Sequence, residues 1–281
     1  MYQISLFTGA MGGDLATVHI LGWRPVLYCE IDKYCQSLIT QRVKDGYLPD
    51  APIWGDVRTL RGRILEPYRR LAEEHPVVIT AGFPCQPWSI AGKQKGESDD
   101  RNFWPDTIRI IREVRPQFCF LENVPALLAG SHGYFGQILG DLAESGYDAR
   151  WCVLSAAEVG APHLRKRIWI LAYPQSKQTN RIQQSKLPAD AGAGSIQMAD
   201  SNEPGSQRYR GCGSERECWC QFTTWACCRT HEDERLARSG IRRISHGVSN
   251  RVDRLKALGN AQVPEVARRA WLLLTGGLDA S

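Results

Sequence analysis

Val77-Val78-Ile79-Thr80, running through Ala81 into Gly82-Phe83-Pro84-Cys85-Gln86-Pro87, is the stretch that decides the fold. The short apolar run reads as a strand buried on both faces, the kind found inside parallel sheets. The turn after it puts a cysteine just past the strand's carboxyl end, where open α/β sheets gather their reacting groups. Further along, Phe118-Cys119-Phe120-Leu121 is a second such run and delivers Glu122-Asn123-Val124 to the same edge. A nucleophile and a carboxyl group at neighbouring strand ends form a reaction site.

Outward from these two strands, residues 1–172 alternate short apolar runs with helical patterns, as βαβ units do. Strands are predicted at Gln3–Phe7, Pro25–Cys29, Val77–Thr80, Phe118–Leu121, Arg150–Leu154 and Ile168–Ala172. Helices are predicted at Asp14–Leu21, Lys33–Arg42, Ile64–Glu74, Trp104–Val114 and Phe135–Ser145. The result is an α/β fold, a doubly wound and mostly parallel sheet with helices on both faces. At Pro174 the character changes: up to Gln207 the chain is rich in Gln, Ser, Ala, Gly and Asn, a composition that buries little. A Cys/Trp/Arg-rich patch, Arg208 to Arg229, follows, and Gln262–Leu274 reads as an amphipathic helix. The expected division is a catalytic and cofactor domain over 1–173, a small irregular lobe over 174–247, and a segment over 248–281 that returns to the first domain.

The chain has 281 residues, 43% of them apolar, enough for one large domain, or a large and a small one, with a full core. It contains no run of about 18 apolar residues, so no membrane span is expected. Its start, Met1-Tyr2-Gln3-Ile4, is strand-like and lacks a basic-then-apolar leader, and its ten cysteines form no regular framework. Reduced thiols in a cytosolic protein are the expectation. The net charge of +5 falls entirely in residues 173–281, because residues 1–172 balance 19 basic against 19 acidic side chains. A basic final third suits a polyanionic partner, and equally a plain solvated surface.

Four constellations carry chemistry. Leu6-Phe7-Thr8-Gly9-Ala10-Met11-Gly12-Gly13 follows the first strand and opens a helix, and Glu30 falls 21 positions after Gly9. Glycines at a helix N-terminus let a nucleotide-like ligand lie on the backbone, and an acid at that distance grips ribose hydroxyls. The pair does not separate NAD from S-adenosylmethionine. Asp56, in Trp54-Gly55-Asp56-Val57, is an acceptor for an adenine amino group or a simple turn aspartate. Cys85 is flanked by prolines that fix its direction, and a following helix-like N-terminus would favour the thiolate. The polar, glycine-bearing loop Ser89 to Gly96 is suited to closing over a substrate; a lone cysteine after a strand is otherwise a core residue. Glu122, beyond an apolar strand, should be partly desolvated and hold a proton near neutrality, unless it serves as a helix cap or an ion-pair partner. In His163-Leu164-Arg165-Lys166-Arg167, strand alternation puts Arg165 and Arg167 on one face, where guanidinium groups can bind a carboxylate, a phosphate or a base carbonyl.

These residues in this order resemble the cytosine-5 DNA methyltransferases of bacterial and phage type. The resemblance rests on Phe7-Thr8-Gly9, Glu30, Asp56, Pro84-Cys85-Gln86, Glu122-Asn123-Val124, Arg165-Lys166-Arg167 and Ala257-Leu258-Gly259-Asn260-Ala261, and covers residues 2–172 and about 248–274. It implies S-adenosylmethionine as cofactor, lined by Phe7, Gly9, Gly12, Glu30, Ile31, Asp56, Val57, Gly82, Pro84, Phe103, Asn260 and Ala261. It also implies catalysis by Cys85, Glu122, Arg165 and Arg167, with Gln86, Ser89, Lys93 and Lys95 against DNA. Cys85 would add at cytosine C6, Glu122 would serve N3 and the exocyclic amine, Arg167 would bind O2, and Arg165 would support the loop and carboxyl group. The implied partner is double-stranded DNA, met by a cytoplasmic, nucleoid-associated monomer with a companion restriction endonuclease as a further expectation. Residues 175–245 fall where the family carries its target-recognition segment. Met11 departs from the pattern, standing where the family's turn usually has Gly, with Gly12 and Gly13 read as compensating. Leu164 stands where a basic residue is common.

An RNA cytosine methyltransferase, a catalytically silent DNA-binding relative and a Rossmann oxidoreductase are the alternatives. The oxidoreductase leaves Pro84-Cys85-Gln86 and Glu122-Asn123-Val124 without a role. No metal is expected: Cys212, Cys218, Cys220, Cys227, Cys228 and His231 match no usual zinc-ligand spacing. Trp219 and Trp225 among arginines can stack on bases or form the small lobe's core.

Overall fold

A computed structural model describes residues 1–84, 102–129, 133–175 and 251–276. The chain divides into two units, Met1–Gln175 with Ser249–Ser281, and Ser176–Val248; all described residues belong to the first. The Cys/Trp/Arg-rich patch and its cysteine–histidine series lie outside them. No helix among the described residues is long and apolar enough to cross a membrane.

Among the described residues, seven strands form one sheet: β1 (Tyr2–Leu6), β2 (Arg24–Cys29), β3 (Ile53–Trp54), β4 (Val77–Ala81), β5 (Phe118–Asn123), β6 (Tyr147–Leu154) and β7 (Arg167–Pro174). Their order is β3-β2-β1-β4-β5-β7-β6. β1 to β5 pair in parallel, and β7 runs antiparallel to both its neighbours. The chain reverses direction across the sheet between β1 and β4, the switch point at which such sheets open a crevice beyond their strand ends. The helices are α1 (Gly12–His19), α2 (Lys33–Lys44), α3 (Glu66–Glu74), α4 (Trp104–Val114), α5 (Ala126–Ala129), α6 (Tyr134–Glu144), α7 (Arg251–Asn260) and α8 (Pro264–Thr275).

Strand periodicity sorts the core onto two faces. On one, Ile4, Leu6, Ile79, Cys119, Leu121, Ile168 and Ile170 pack with Trp104, Ile108 and Ile111 of α4 and with Ile138 and Leu142 of α6. On the other, Val78, Phe118, Phe120, Trp169 and Leu171 pack with Ala16 of α1 and with Val266, Ala270 and Trp271 of α8. Trp271 meets Trp23, Phe118 and Phe120 edge-on, with ring centroids 4.6, 5.4 and 5.4 Å apart. This aromatic cluster carries the C-terminal segment back onto the sheet.

Three differences from the sequence reading bear on the site. β5 extends through Glu122 and Asn123, so the carboxyl group sits on the strand's last turn of pleat rather than beyond it. β7 begins at Arg167, so Arg165 is not on a strand and does not share a face with Arg167 by alternation. Helix α7, which lacks a strong apolar stripe, supplies residues to the site that periodicity does not mark.

Candidate active site

At the carboxyl edge of β1, Phe7 and Gly9 both adopt left-handed backbone, φ 55° and 58°, so the chain folds tightly over the strand end before entering α1. Gly12 and Gly13 do not take over the missing glycine's conformation: Met11 itself turns left-handed, φ 61°. A non-glycine residue there carries about 1–2 kcal/mol of backbone strain. Its buried side chain packs with Tyr28, Ile39 and Leu48, which offsets that cost. Glu30 closes the turn from β2: its carboxylate accepts from the Gly9 amide at 2.7 Å and from the Asp32 amide at 2.8 Å. The carboxylate therefore fixes the turn and still offers lone pairs to the crevice.

Asp56 follows β3 and is engaged by its neighbour. Its oxygens accept from the Arg58 amide at 3.0 Å, from Arg58 Nε at 3.0 and 3.1 Å, and from Arg58 Nη2 at 2.7 Å. An adenine amino group gains this carboxylate only by displacing part of that set.

At the neighbouring strand ends, Phe83 is buried against Trp104, ring centroids 5.4 Å apart, and its carbonyl accepts from Asn123 Nδ2 at 3.0 Å. Asn123 thus ties the turn after β4 to the end of β5. Glu122, beside it, is 8% exposed. Its Oε1 is paired with Arg167 Nε at 2.8 Å, and its Oε2 accepts from Gln262 Nε2 at 3.3 Å. Burial pushes the Glu122 carboxyl above its ordinary range; Arg167, Gln262 and Arg165 pull it back down. This balance suits a group that must hold a proton and yet attract one from a ligand.

Arg165, with φ 30°, turns instead to the C-terminal segment. Its Nη1 donates to the Gly259 carbonyl at 2.7 Å and its Nη2 to the Ala261 carbonyl. Its Nε is buried without a hydrogen-bond partner among the described residues. Arg165 thus clamps residues 259–261 by hydrogen bonds and acts on the Glu122 carboxyl group through its charge.

These parts enclose a cleft of about 310 Å³, within the range of small-molecule sites. All twelve residues expected to hold the cofactor line it: Phe7, Gly9, Gly12, Glu30, Ile31, Asp56, Val57, Gly82, Pro84, Phe103, Asn260 and Ala261. Glu122 lines it too, whereas Arg165 and Arg167 are not among its lining residues. Phe7 and Phe103 meet edge-on at 5.7 Å and form one apolar wall. Cys85, Gln86, Ser89, Lys93 and Lys95 lie outside the described residues; Pro84, the residue before Cys85, is on the cleft wall. Cys29 and Cys35 also line the cleft, but burial pushes their thiols up to about 12 and about 11, which excludes them as thiolates at neutral pH.

Sequence reasoning missed Asp14, Lys256 and Gln262, which all line the cleft. Lys256 of α7 reaches Asp32 at 2.7 Å. Asp14 is buried in α1 and accepts from Gln3 Nε2 at 3.1 Å. An alternation of polar residues within β1, Gln3 and Ser5 between apolar neighbours, was the only trace of that network. No group of three or more His, Cys, Asp or Glu among the described residues could hold a metal ion.

A family model described as C-5 cytosine-specific DNA methylase matches residues 1–217. The type II methyltransferase M.NgoMIV of Neisseria gonorrhoeae is 32% identical over 216 residues, 74% of this chain and 64% of that protein. The type II methyltransferase M.HhaI of Haemophilus parahaemolyticus is 31% identical over 172 residues, 60% of this chain and 48% of that protein. The chain therefore spans about half to two thirds of the length of these relatives. Among solved structures, the Entamoeba histolytica methyltransferase EhMeth aligns with a TM-score of 0.49 at 19% identity, over 65% of this chain and 55% of that one.

Proposed function

The chain belongs to the C-5 cytosine-specific DNA methylase family, and on that premise we propose that it transfers a methyl group from S-adenosylmethionine to C5 of a cytosine extruded from double-stranded DNA. The observation that carries this reading is the Glu122–Arg167 pair, 2.8 Å apart, whose buried Glu122 faces the same cleft as Glu30 and the glycine turn. A buried carboxyl group held between a guanidinium and an amide at a strand end suits a ring that must gain and lose charge.

The cleft fits the cofactor by its donor set. Glu30 faces it from the end of β2, where ribose hydroxyls would find an acceptor, and the Phe7–Phe103 wall suits the flat face of an adenine. Gly9 leaves the backbone bare where the ligand must approach. Asn260 and Ala261 close the cleft from the C-terminal segment. S-adenosylmethionine supplies an electrophilic methyl group.

Cytosine C5 is too weak a nucleophile to take that methyl unaided. In this reading the Cys85 thiolate forms a bond to C6, and the ring electrons are pushed towards C5. Glu122 holds a proton at N3 while they move, and Arg167 binds O2. Once C5 carries the methyl it gives up its proton, the C6–sulfur bond breaks, and the thiolate returns. C6 is out of reach within a stacked duplex, so the base must be flipped out. Gln86, Ser89, Lys93 and Lys95 are the DNA-side residues of the same proposal, with the protein acting as a cytoplasmic monomer.

Transfer of labelled methyl groups to duplex DNA and to tRNA, run side by side, tests it. Label is expected in DNA cytosine, with none in tRNA. Label confined to tRNA would move the substrate to RNA. Tight binding of NADH, with no affinity for S-adenosylmethionine, would overturn the transferase reading altogether.

A further inference from the structure

Three glycines from two parts of the chain, Gly12-Gly13 and Gly82, leave room for one residue. A Cβ on Gly12 would overlap the backbone of Gln262, and a Cβ on Gly13 would overlap Gln262 Oε1. A Cβ on Gly82 would lie 3.1 Å from Glu122 Oε2 and 3.2 Å from Gln262 Nε2. None of the three takes a positive φ, so backbone conformation does not demand glycine at these positions. What demands it is the presence of Gln262, seated between the N-terminus of α1 and the end of β4 with its amide nitrogen on the carboxyl group of β5.

The geometry points to Gln262 as the positioning residue of Glu122: wedged in the niche of Gly12, Gly13 and Gly82, its amide holds Oε2 of that carboxyl group while Arg167 holds Oε1. The inference rests on the methyl-transfer reading above and adds to it a residue that acts through Glu122. Two donors on opposite oxygens fix the plane of a carboxyl group, as one alone does not. The support behind Gln262 is itself built: Arg165 clamps the carbonyls of Gly259 and Ala261 just before it, and Trp271 anchors the helix just after it. The C-terminal segment thus works as an arm whose tip sets the carboxyl group.

The sign of the effect follows from the chemistry. An amide N–H donated to Oε2 favours the ionised carboxyl form, so its removal raises the pH at which Glu122 gives up its proton. Gln262→Met keeps the length of the side chain and removes the donor. Gly13→Ala leaves Gln262 in place and pushes its tip aside, at a position where alanine meets only the end of a flexible side chain. Both variants are expected to shift the alkaline limb of the kcat profile upward, and to lower kcat by about tenfold through loss of carboxyl alignment. The KM for S-adenosylmethionine is expected to stay within about twofold, and the double variant to add little to either single one.

The Glu122 side-chain carbon, labelled with carbon-13 and assigned through Glu122→Gln, gives a readout that needs no turnover. Its titration midpoint is expected to rise in both variants. An unmoved midpoint and an unmoved kcat limb in both would overturn the inference, as would a loss confined to the KM for the cofactor. If the midpoint moves while the unaltered protein methylates no cytosine, the Gln262 contact stands and the functional reading is the one that falls. Should Gln262→Met not fold, Gly13→Ala alone decides.

Discussion

Asp14 and Glu122 are both buried carboxyl groups on the cleft, and the partners around them set them apart. Glu122 has Arg167 against it. Asp14 has only neutral donors, and burial pushes it up to about 6. Between its ordinary value near 3.8 and about 6, the folded chain binds more protons at Asp14 than the unfolded chain does. The contribution of Asp14 to stability therefore falls as pH rises through that window. The difference amounts to at most about 3 kcal/mol at 1.36 kcal/mol per pH unit. Asp14→Asn removes the titration, so its unfolding free energy in urea is expected to gain on that of the unaltered chain between about pH 4 and pH 7. Parallel curves for the two proteins would contradict the assignment. Glu30 was legible in sequence because its distance from Gly9 is a property of one βαβ unit. Gln262 was not: an amide has no motif of its own, and its meaning comes from Gly12, Gly13 and Gly82, which the fold alone brings beside it.

Among the elements, β4, β5 and α4 were the most legible, because unbroken apolar runs and a helical stripe leave few alternatives. α4 spans Trp104–Val114 as expected. β3, only Ile53–Trp54, is too short to show periodicity, and the polar α7 has no stripe to read. The most consequential element is α8. It lies far from the glycine turn in sequence and is joined to the sheet through Trp271. Trp271→Ala is expected to cost about 3–5 kcal/mol in unfolding by denaturant. It should also weaken S-adenosylmethionine binding, since Asn260 and Ala261 line the cleft on the segment that α8 anchors. A loss below about 1 kcal/mol, with cofactor affinity intact, would show that the segment docks by other means.

For the whole molecule, the α/β class and the switch-point cleft were readable from alternating runs and from motifs whose spacing lies within single βαβ units. The closure of that cleft by the C-terminal segment was expected as a returning helix with Asn260 and Ala261 at the cofactor, and both residues line the cleft; the Arg165 clamp and the Gln262 wedge depend on contacts between distant parts of the chain, which periodicity does not encode. In the proposed function, the cleft and the paired carboxyl group serve one chemical event, bond formation between the Cys85 sulfur and a cytosine ring. That event can be trapped, because fluorine at C5 cannot leave as a proton does. The protein should be incubated with S-adenosylmethionine and duplex DNA carrying 5-fluorocytosine, then digested and read by mass spectrometry. The account expects a stable DNA adduct on Cys85, lost in Cys85→Ala while cofactor affinity stays nearly unchanged. An adduct on another residue, or undiminished methyl transfer by Cys85→Ala, would contradict it.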